Sequence, residues 1–113
     1  MHQRLSLTTL AALAIAALLM LPGTGTAGGT TVKLGDDFFK PDSKTVSKGT
    51  KVRFKWIGDN AHNVTKTKGP GKNFASETTS SDGVHYVRKF KKSGKYKLVC
   101  TIHSGMDMVL KVK

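Results

Sequence analysis

The segment Cys100-Thr101-Ile102-His103-Ser104-Gly105-Met106 sets a thiol, an imidazole and a thioether at intervals of three residues near the C-terminus. All three side chains are metal donors. Thiolate and thioether are soft ligands that favour Cu(I), while imidazole also serves Cu(II), so the set can hold copper in both oxidation states with little rearrangement. A fourth ligand must come from elsewhere in the chain, and His62, in Asn60-Ala61-His62-Asn63-Val64, follows a strand pattern whose folding can bring it beside the loop.

Other readings of the same residues have to be weighed. A lone Cys-x-x-His is common by chance, and an isolated buried cysteine is usually packing. Zinc competes for Cys and His, but Met is not among its ligands. A nucleophilic Cys100 activated by His103 would need a third group to orient the base, and nothing supplies one. Cys100 is also the single cysteine of the chain. It can form no intrachain disulfide, and a free exposed thiol would be a liability in an oxidising compartment.

That compartment is read from the N-terminus. Arg4 precedes an uninterrupted apolar stretch from Leu10 to Leu21, followed by Pro22 and the small residues Gly25-Thr26-Ala27. This is the layout of a secretory signal peptide over residues 1–27, with cleavage expected after Ala27. A bilayer span takes about 20 apolar residues, so the stretch is short for a permanent anchor. Residues 28–113 then form one domain. Subtracting 27 from 113 leaves 86 residues, near the lower limit at which one hydrophobic core suffices, and a bound metal is a usual additional support. The expected location is periplasmic or extracellular, and a monomer is expected.

The elements that must position the donors read as strands. Val52, Phe54 and Trp56 alternate with Lys51, Arg53 and Lys55; Tyr96, Leu98 and Cys100 alternate with Lys95 and Lys97; Met108, Leu110 and Val112 alternate with Lys111 and Lys113. A period of two puts one set on a buried face and the other in water, so Cys100 is expected to point inward. Turn signals separate the runs at Lys48-Gly49, Gly58-Asp59-Asn60, Gly69-Pro70-Gly71, Ser81-Asp82-Gly83 and Ser93-Gly94. The expected fold class is all-β, an antiparallel sandwich or barrel.

The chain carries 19 Lys and Arg against 7 Asp and Glu. The signal segment removes only Arg4, so the remainder keeps 18 against 7, a net +11. A charge of that size calls for acidic partners or an anionic membrane surface, and export argues against nucleic acid. Lysines at alternate strand positions are also the ordinary solvated face of a sheet and discourage edge pairing. The run Lys89, Lys91, Lys92, Lys95 and Lys97 is read that way first, and as a dedicated partner patch second.

Across essentially the whole domain these residues resemble the small type 1 blue copper proteins, the cupredoxins of the plastocyanin and amicyanin kind. The resemblance rests on Phe39-Lys40-Pro41 followed by Val46 and Lys48-Gly49-Thr50, on the strand ending in Trp56, on His62-Asn63-Val64, and on Ser93-Gly94-Lys95-Tyr96 leading to Cys100 and the Cys-x-x-His-x-x-Met loop. It implies a Greek-key β-sandwich in which His62, Cys100 and His103 hold one type 1 copper ion in a trigonal plane, with an axial Met at longer distance. It also implies that Asn63 braces the Cys loop at Thr101, and that His103 offers a solvent-facing ring edge for electron transfer. Amicyanin-like loops place the axial Met three residues after the His, at Met106. Plastocyanin-like loops place it five after, at Met108. His-x-Gly-Met matches the shorter loop and Met108 falls in phase with Leu110 and Val112, which favours Met106. The implied function is non-enzymatic: carrying single electrons between redox partner proteins, on which the basic charge of the chain leads us to expect acidic docking surfaces. The alternative is a copper module for delivery, storage or resistance. Two departures stand out: Ser104 replaces a common Pro, and Arg88 falls where relatives bury an aliphatic residue, which snorkelling or a local register change would accommodate. His85 is read as a surface strand residue.

Overall fold

The structure, a computed structural model, describes residues 29–113. The expected signal peptide over residues 1–27 lies outside them. Eight strands follow in order: β1 (Thr30–Gly35), β2 (Phe38–Lys40), β3 (Ser43–Val46), β4 (Thr50–Trp56), β5 (Thr65–Lys68), β6 (Gly83–Phe90), β7 (Gly94–Val99) and β8 (Asp107–Val112). They build two four-stranded sheets, ordered β2-β1-β4-β6 and β3-β8-β7-β5. The expected all-β sandwich is present, with mixed sheets. β1 pairs parallel to β4 and β3 parallel to β8, while the other pairings are antiparallel. The cause is a crossover: after the β1–β2 hairpin the chain passes to the second sheet as β3 before returning as β4.

The alternation read from the sequence is the alternation of burial. Thr50, Val52, Phe54 and Trp56 of β4 are buried while Lys51, Arg53 and Lys55 are exposed. Tyr96, Leu98 and Cys100, and Met108, Leu110 and Val112, are buried likewise. With Val32, Leu34, Phe39, Val46, Val64, Phe90 and Met106 they form a single core between the sheets, each large apolar side chain contributing about 2 kcal/mol through burial. Phe90 of one sheet meets Tyr96 of the other edge to face at 5.1 Å, a geometry that adds attraction beyond area.

A β-bulge sits where β6 pairs with β4. Phe54 faces Tyr86 but Lys55 faces Val84, so His85 is the additional residue. Bulges re-aim side chains, and here the shift sends the His85 ring edge-on to Trp56 at 5.2 Å. Arg88, opposite Val52, is half-buried. Its guanidinium lies 3.9 Å from the centroid of the Phe74 ring and donates to the Tyr86 hydroxyl at 3.3 Å. A cation on an aromatic face replaces the aliphatic packing expected there.

Candidate metal centre

β4 and β7 aim their ends at one tip of the sandwich. Beyond β4, His62 forms a two-way backbone bridge with Thr79 (3.0 and 3.1 Å), and its carbonyl accepts the buried indole N–H of Trp56 at 3.1 Å. These contacts fix the main chain of a residue whose side chain is wholly buried. Beyond β7, the Cys100 N–H donates to Met106 O (2.9 Å), Met106 N–H to His103 O (3.2 Å) and His103 N–H to Cys100 O (3.5 Å). The loop is thus closed on itself by its own backbone. Gly105 has φ +83°, a left-handed conformation that a residue with a Cβ adopts only at a cost.

Three donor atoms converge from these two segments. His62 Nδ1 and His103 Nδ1 are 3.2 Å apart, and Cys100 Sγ is 3.4 Å from His103 Nδ1 and 4.0 Å from His62 Nδ1. A point equidistant from the corners of that triangle lies about 2.1 Å from each, close to ordinary metal–imidazole and metal–thiolate bond lengths. The tautomers suit the same role. His62 Nε2 faces Asp36 Oδ1 at 3.0 Å; a carboxylate only accepts, so Nε2 carries the proton and Nδ1 is left with its lone pair toward the other donors. The donor set fits copper, and His62, Cys100 and His103 form a type 1-like site. His62 is inaccessible, whereas the His103 side chain keeps 23% of its surface exposed.

Asn63 supplies the brace expected beside the loop. Its amide donates to Thr101 Oγ1 at 2.9 Å and Thr78 Oγ1 at 3.0 Å, and its carbonyl accepts from the Thr101 N–H at 3.2 Å and Thr65 Oγ1 at 2.9 Å. The side chain is buried, so its removal leaves several polar groups without partners. Asn63→Ala is expected to destabilise the metal-free protein by about 3 kcal/mol, measured by urea unfolding; a loss below about 0.5 kcal/mol would make the brace incidental.

Met106 and Met108 are both buried in the core. In the β7–β8 ladder Leu98 stands opposite Met108. The Cys100–Met106 backbone bond carries that register two residues further, which places Met106 opposite Cys100. Among the described residues His85 joins no donor cluster; it lies 2.8 Å from Ser81 O and 3.7 Å from Glu77.

The residues the sequence did not single out are Asp36 and Asp37, in the β1–β2 turn. Backbone N–H groups of Asp59 (2.7 Å) and Asn60 (2.9 Å) donate to Asp36. These bonds first, and His62 next, hold its carboxyl at about 2, below the ordinary 3.8. Asp37 Oδ1 lies 3.6 Å from His103 Nε2 and 3.8 Å from His62 Nε2. The one sequence signal was that these are the only adjacent acids in a strongly basic chain.

Residues 27–113 match the family of copper-binding proteins typified by plastocyanin and azurin. No curated protein sequence matches the chain. Among solved structures, the oxidised form of plastocyanin from Dryopteris crassirhizoma is similar at 26% identity and a TM-score of 0.62, over 74% of this chain and 99% of that one. A purple cupredoxin from Nitrosopumilus maritimus is similar at 19% identity and a TM-score of 0.65, over 74% and 99%. A copper-containing nitrite reductase from Thermus scotoductus SA-01 matches at 22% identity and a TM-score of 0.64, over 75% of this chain but 22% of the enzyme.

Proposed function

The chain belongs to the plastocyanin/azurin family of copper-binding proteins, and from that premise we propose that it is an exported carrier of single electrons, with His62, Cys100, His103 and Met106 as its copper ligands. The observation that carries this reading is the convergence of two Nδ1 atoms and one Sγ within 4.0 Å of one another, each on a backbone tied down by hydrogen bonds. Copper bound there supplies one-electron redox chemistry. The hydrogen-bonded backbone behind the donors would let one arrangement serve both oxidation states, so that little has to move when an electron passes. His62 and Cys100 are shut off from solvent, which leaves the partly exposed ring of His103 as the route in and out.

Four protein donors leave no position for a substrate, so we assign the chain no bond chemistry. The buried thioethers of Met106 and Met108 also suit retention of copper better than its transfer to an acceptor. The test is twofold. Copper-loaded protein should show the intense visible absorption of a Cu(II)–thiolate bond, and it should exchange electrons with a redox protein while keeping its copper. A colourless Cu(II) form would sink the assignment, and transfer of Cu(I) to an acceptor would favour a delivery role.

The leader over residues 1–27 supports export, and the +11 of the domain supports a redox partner with an acidic docking surface. At the end of the sandwich opposite the copper loop, where β6 ends and β7 begins, Lys72, Arg88, Lys89, Lys91 and Lys92 line an open groove of about 620 Å³ together with Phe74 and Tyr96, and no acidic residue among the described ones shares that lining. The groove lies a strand length away from His103, so we read its charge as a long-range attraction for an acidic partner and not as the seat at which electrons pass, with anionic membrane as a weaker, peripheral attraction. Raising ionic strength from about 0.01 M to about 1 M shortens the Debye length from roughly 30 to 3 Å. The bimolecular electron-transfer rate is expected to fall about tenfold over that range. A rate independent of salt would reduce the charge to a solubility feature.

A further inference from the structure

Both imidazoles of the copper centre have an outer nitrogen, Nε2, turned away from the donor triangle, and each of those nitrogens meets a carboxylate of the same dipeptide. Asp36 Oδ1 is 3.0 Å from His62 Nε2. Asp37 Oδ1 stands between the two rings, 3.8 Å from His62 Nε2 and 3.6 Å from His103 Nε2. The carboxylates are themselves held. Asp36 accepts from the backbone N–H groups of Asp59 and Asn60, and Asp37 Oδ1 accepts from the Asn60 side-chain amide at 3.0 Å. Gly58 makes this close approach of the two turns feasible, because a Cβ there would collide with the Asp36 carboxylate.

We propose that Asp36 and Asp37 are positioning residues for the copper site, Asp36 orienting the His62 ring through a hydrogen bond and Asp37 placing its charge beside both imidazoles, and that together they lower the reduction potential below that of the same site with neutral residues. The proposal rests on His62 and His103 being ligands.

Two physical effects act in the same direction. The hydrogen bond from His62 Nε2–H to Asp36 fixes that ring and its tautomer and makes its Nδ1 a stronger donor. The negative charges also lie in a partly desolvated region, with Asp36 and Asp37 side chains 31% and 39% exposed, so screening by water is incomplete. Stronger donors and nearby negative charge both stabilise the doubly charged ion more than the singly charged one. Asp37 has a further consequence for His103. It sets a negative charge 3.6 Å from His103 Nε2, beside the exposed part of that ring, although the chain as a whole is basic.

The variants are Asp36→Asn, Asp37→Asn and the double substitution, measured by redox titration and by the visible and electron paramagnetic resonance spectra of the copper-loaded protein. Asn keeps the shape and an acceptor oxygen but removes the charge. Loss of outer partners typically costs 10–100-fold in metal affinity. In the double variant the ratio of Cu(II) to Cu(I) affinity is expected to fall about tenfold, raising the midpoint by about 59 mV. Asp36→Glu should restore part of the shift, which a purely structural role would not predict. Asp37→Asn alone, at a more exposed position, guards against misfolding of the double variant and should raise the midpoint by a smaller amount. An unchanged midpoint in Asp37→Asn and in the folded double variant, with normal colour, overturns the positioning role while leaving the electron-carrier reading intact. Absence of the thiolate absorption in the unsubstituted protein would instead remove the ligand assignment on which the proposal stands.

Discussion

Replacing Cys100 by Ser is expected to abolish the visible absorption of the copper-loaded protein and to lower its Cu(II) affinity more than a hundredfold. Sγ is the one soft anionic donor among the three converging atoms, 3.4 Å from His103 Nδ1 and 4.0 Å from His62 Nδ1. A serine hydroxyl is shorter, harder and protonated at neutral pH, so it cannot reproduce a thiolate bond. Substitutions of outer hydrogen-bond partners alone cost about 10–100-fold in metal affinity, and loss of a direct ligand should exceed that range. The fold should survive, because the Cys100 N–H to Met106 O bond that closes the loop is made by the backbone. Inside the pocket the serine hydroxyl can donate to the neighbouring imidazole, which limits the destabilisation of the metal-free protein to about 1 kcal/mol. Equilibrium dialysis against Cu(II), together with urea unfolding of the metal-free protein, separates the two effects. Retained colour would mean that Cys100 is not a ligand.

Why Cys100 could be placed from sequence, while Asp36 could not, follows from the kind of order involved. Strand parity is local: Tyr96 and Leu98 share a face, so Cys100 continues it, and burial at all three confirms that step. The turn signals are local as well, since Gly49, Gly58, Gly69, Ser81 and Ser93 each lie at or just beyond a strand end. Asp36 comes beside His62 only when the β1–β2 turn packs on the turn after β4, a contact spanning 23 residues. No periodicity announces such a contact. The two parallel pairings have the same origin, because they depend on where β3 crosses to the second sheet.

Lys66 shows the limit from another side. In Thr65-Lys66-Thr67-Lys68 the alternation is of polar with polar, and nothing marks one lysine as internal. Yet Lys66 is buried, its Nζ donating to the carbonyls of Pro70, Gly71 and Lys72. Burial first, then the neighbouring Arg88 and Lys92 charges, lowers its pKa. A cation can lie inside this edge because the turn after β5 curls its carbonyls around it, and the turn's shape is not written in the strand's composition. Arg88 repeats the lesson: its partner Phe74 lies in the irregular segment before β6, beyond the reach of a pattern argument.

The thioether assignment decides how the site is tuned, and Met106→Leu set against Met108→Leu is expected to settle it. If Met106 is the axial donor, its replacement by Leu leaves three ligands and a drier pocket. Both changes favour the lower charge, so the midpoint should rise by about 59 mV or more, at least a tenfold shift between oxidation states. Met108→Leu should leave the midpoint where it was and cost less than about 1.5 kcal/mol of stability, as expected for a swap of similar volume in a core. The register supports this order. Met106 lies opposite Cys100 through the backbone bond between them, whereas Met108 lies opposite Leu98. At about 3.4 Å per residue, Met108 is roughly 7 Å further along the strand, within the layer of Leu98 instead of that of the sulfur. Potentiometry and electron paramagnetic resonance on both variants give the answer. If Met108→Leu moved the midpoint and Met106→Leu did not, the longer-loop geometry would hold, and the loop from Cys100 would have to reach past its own closing hydrogen bond to deliver the ligand.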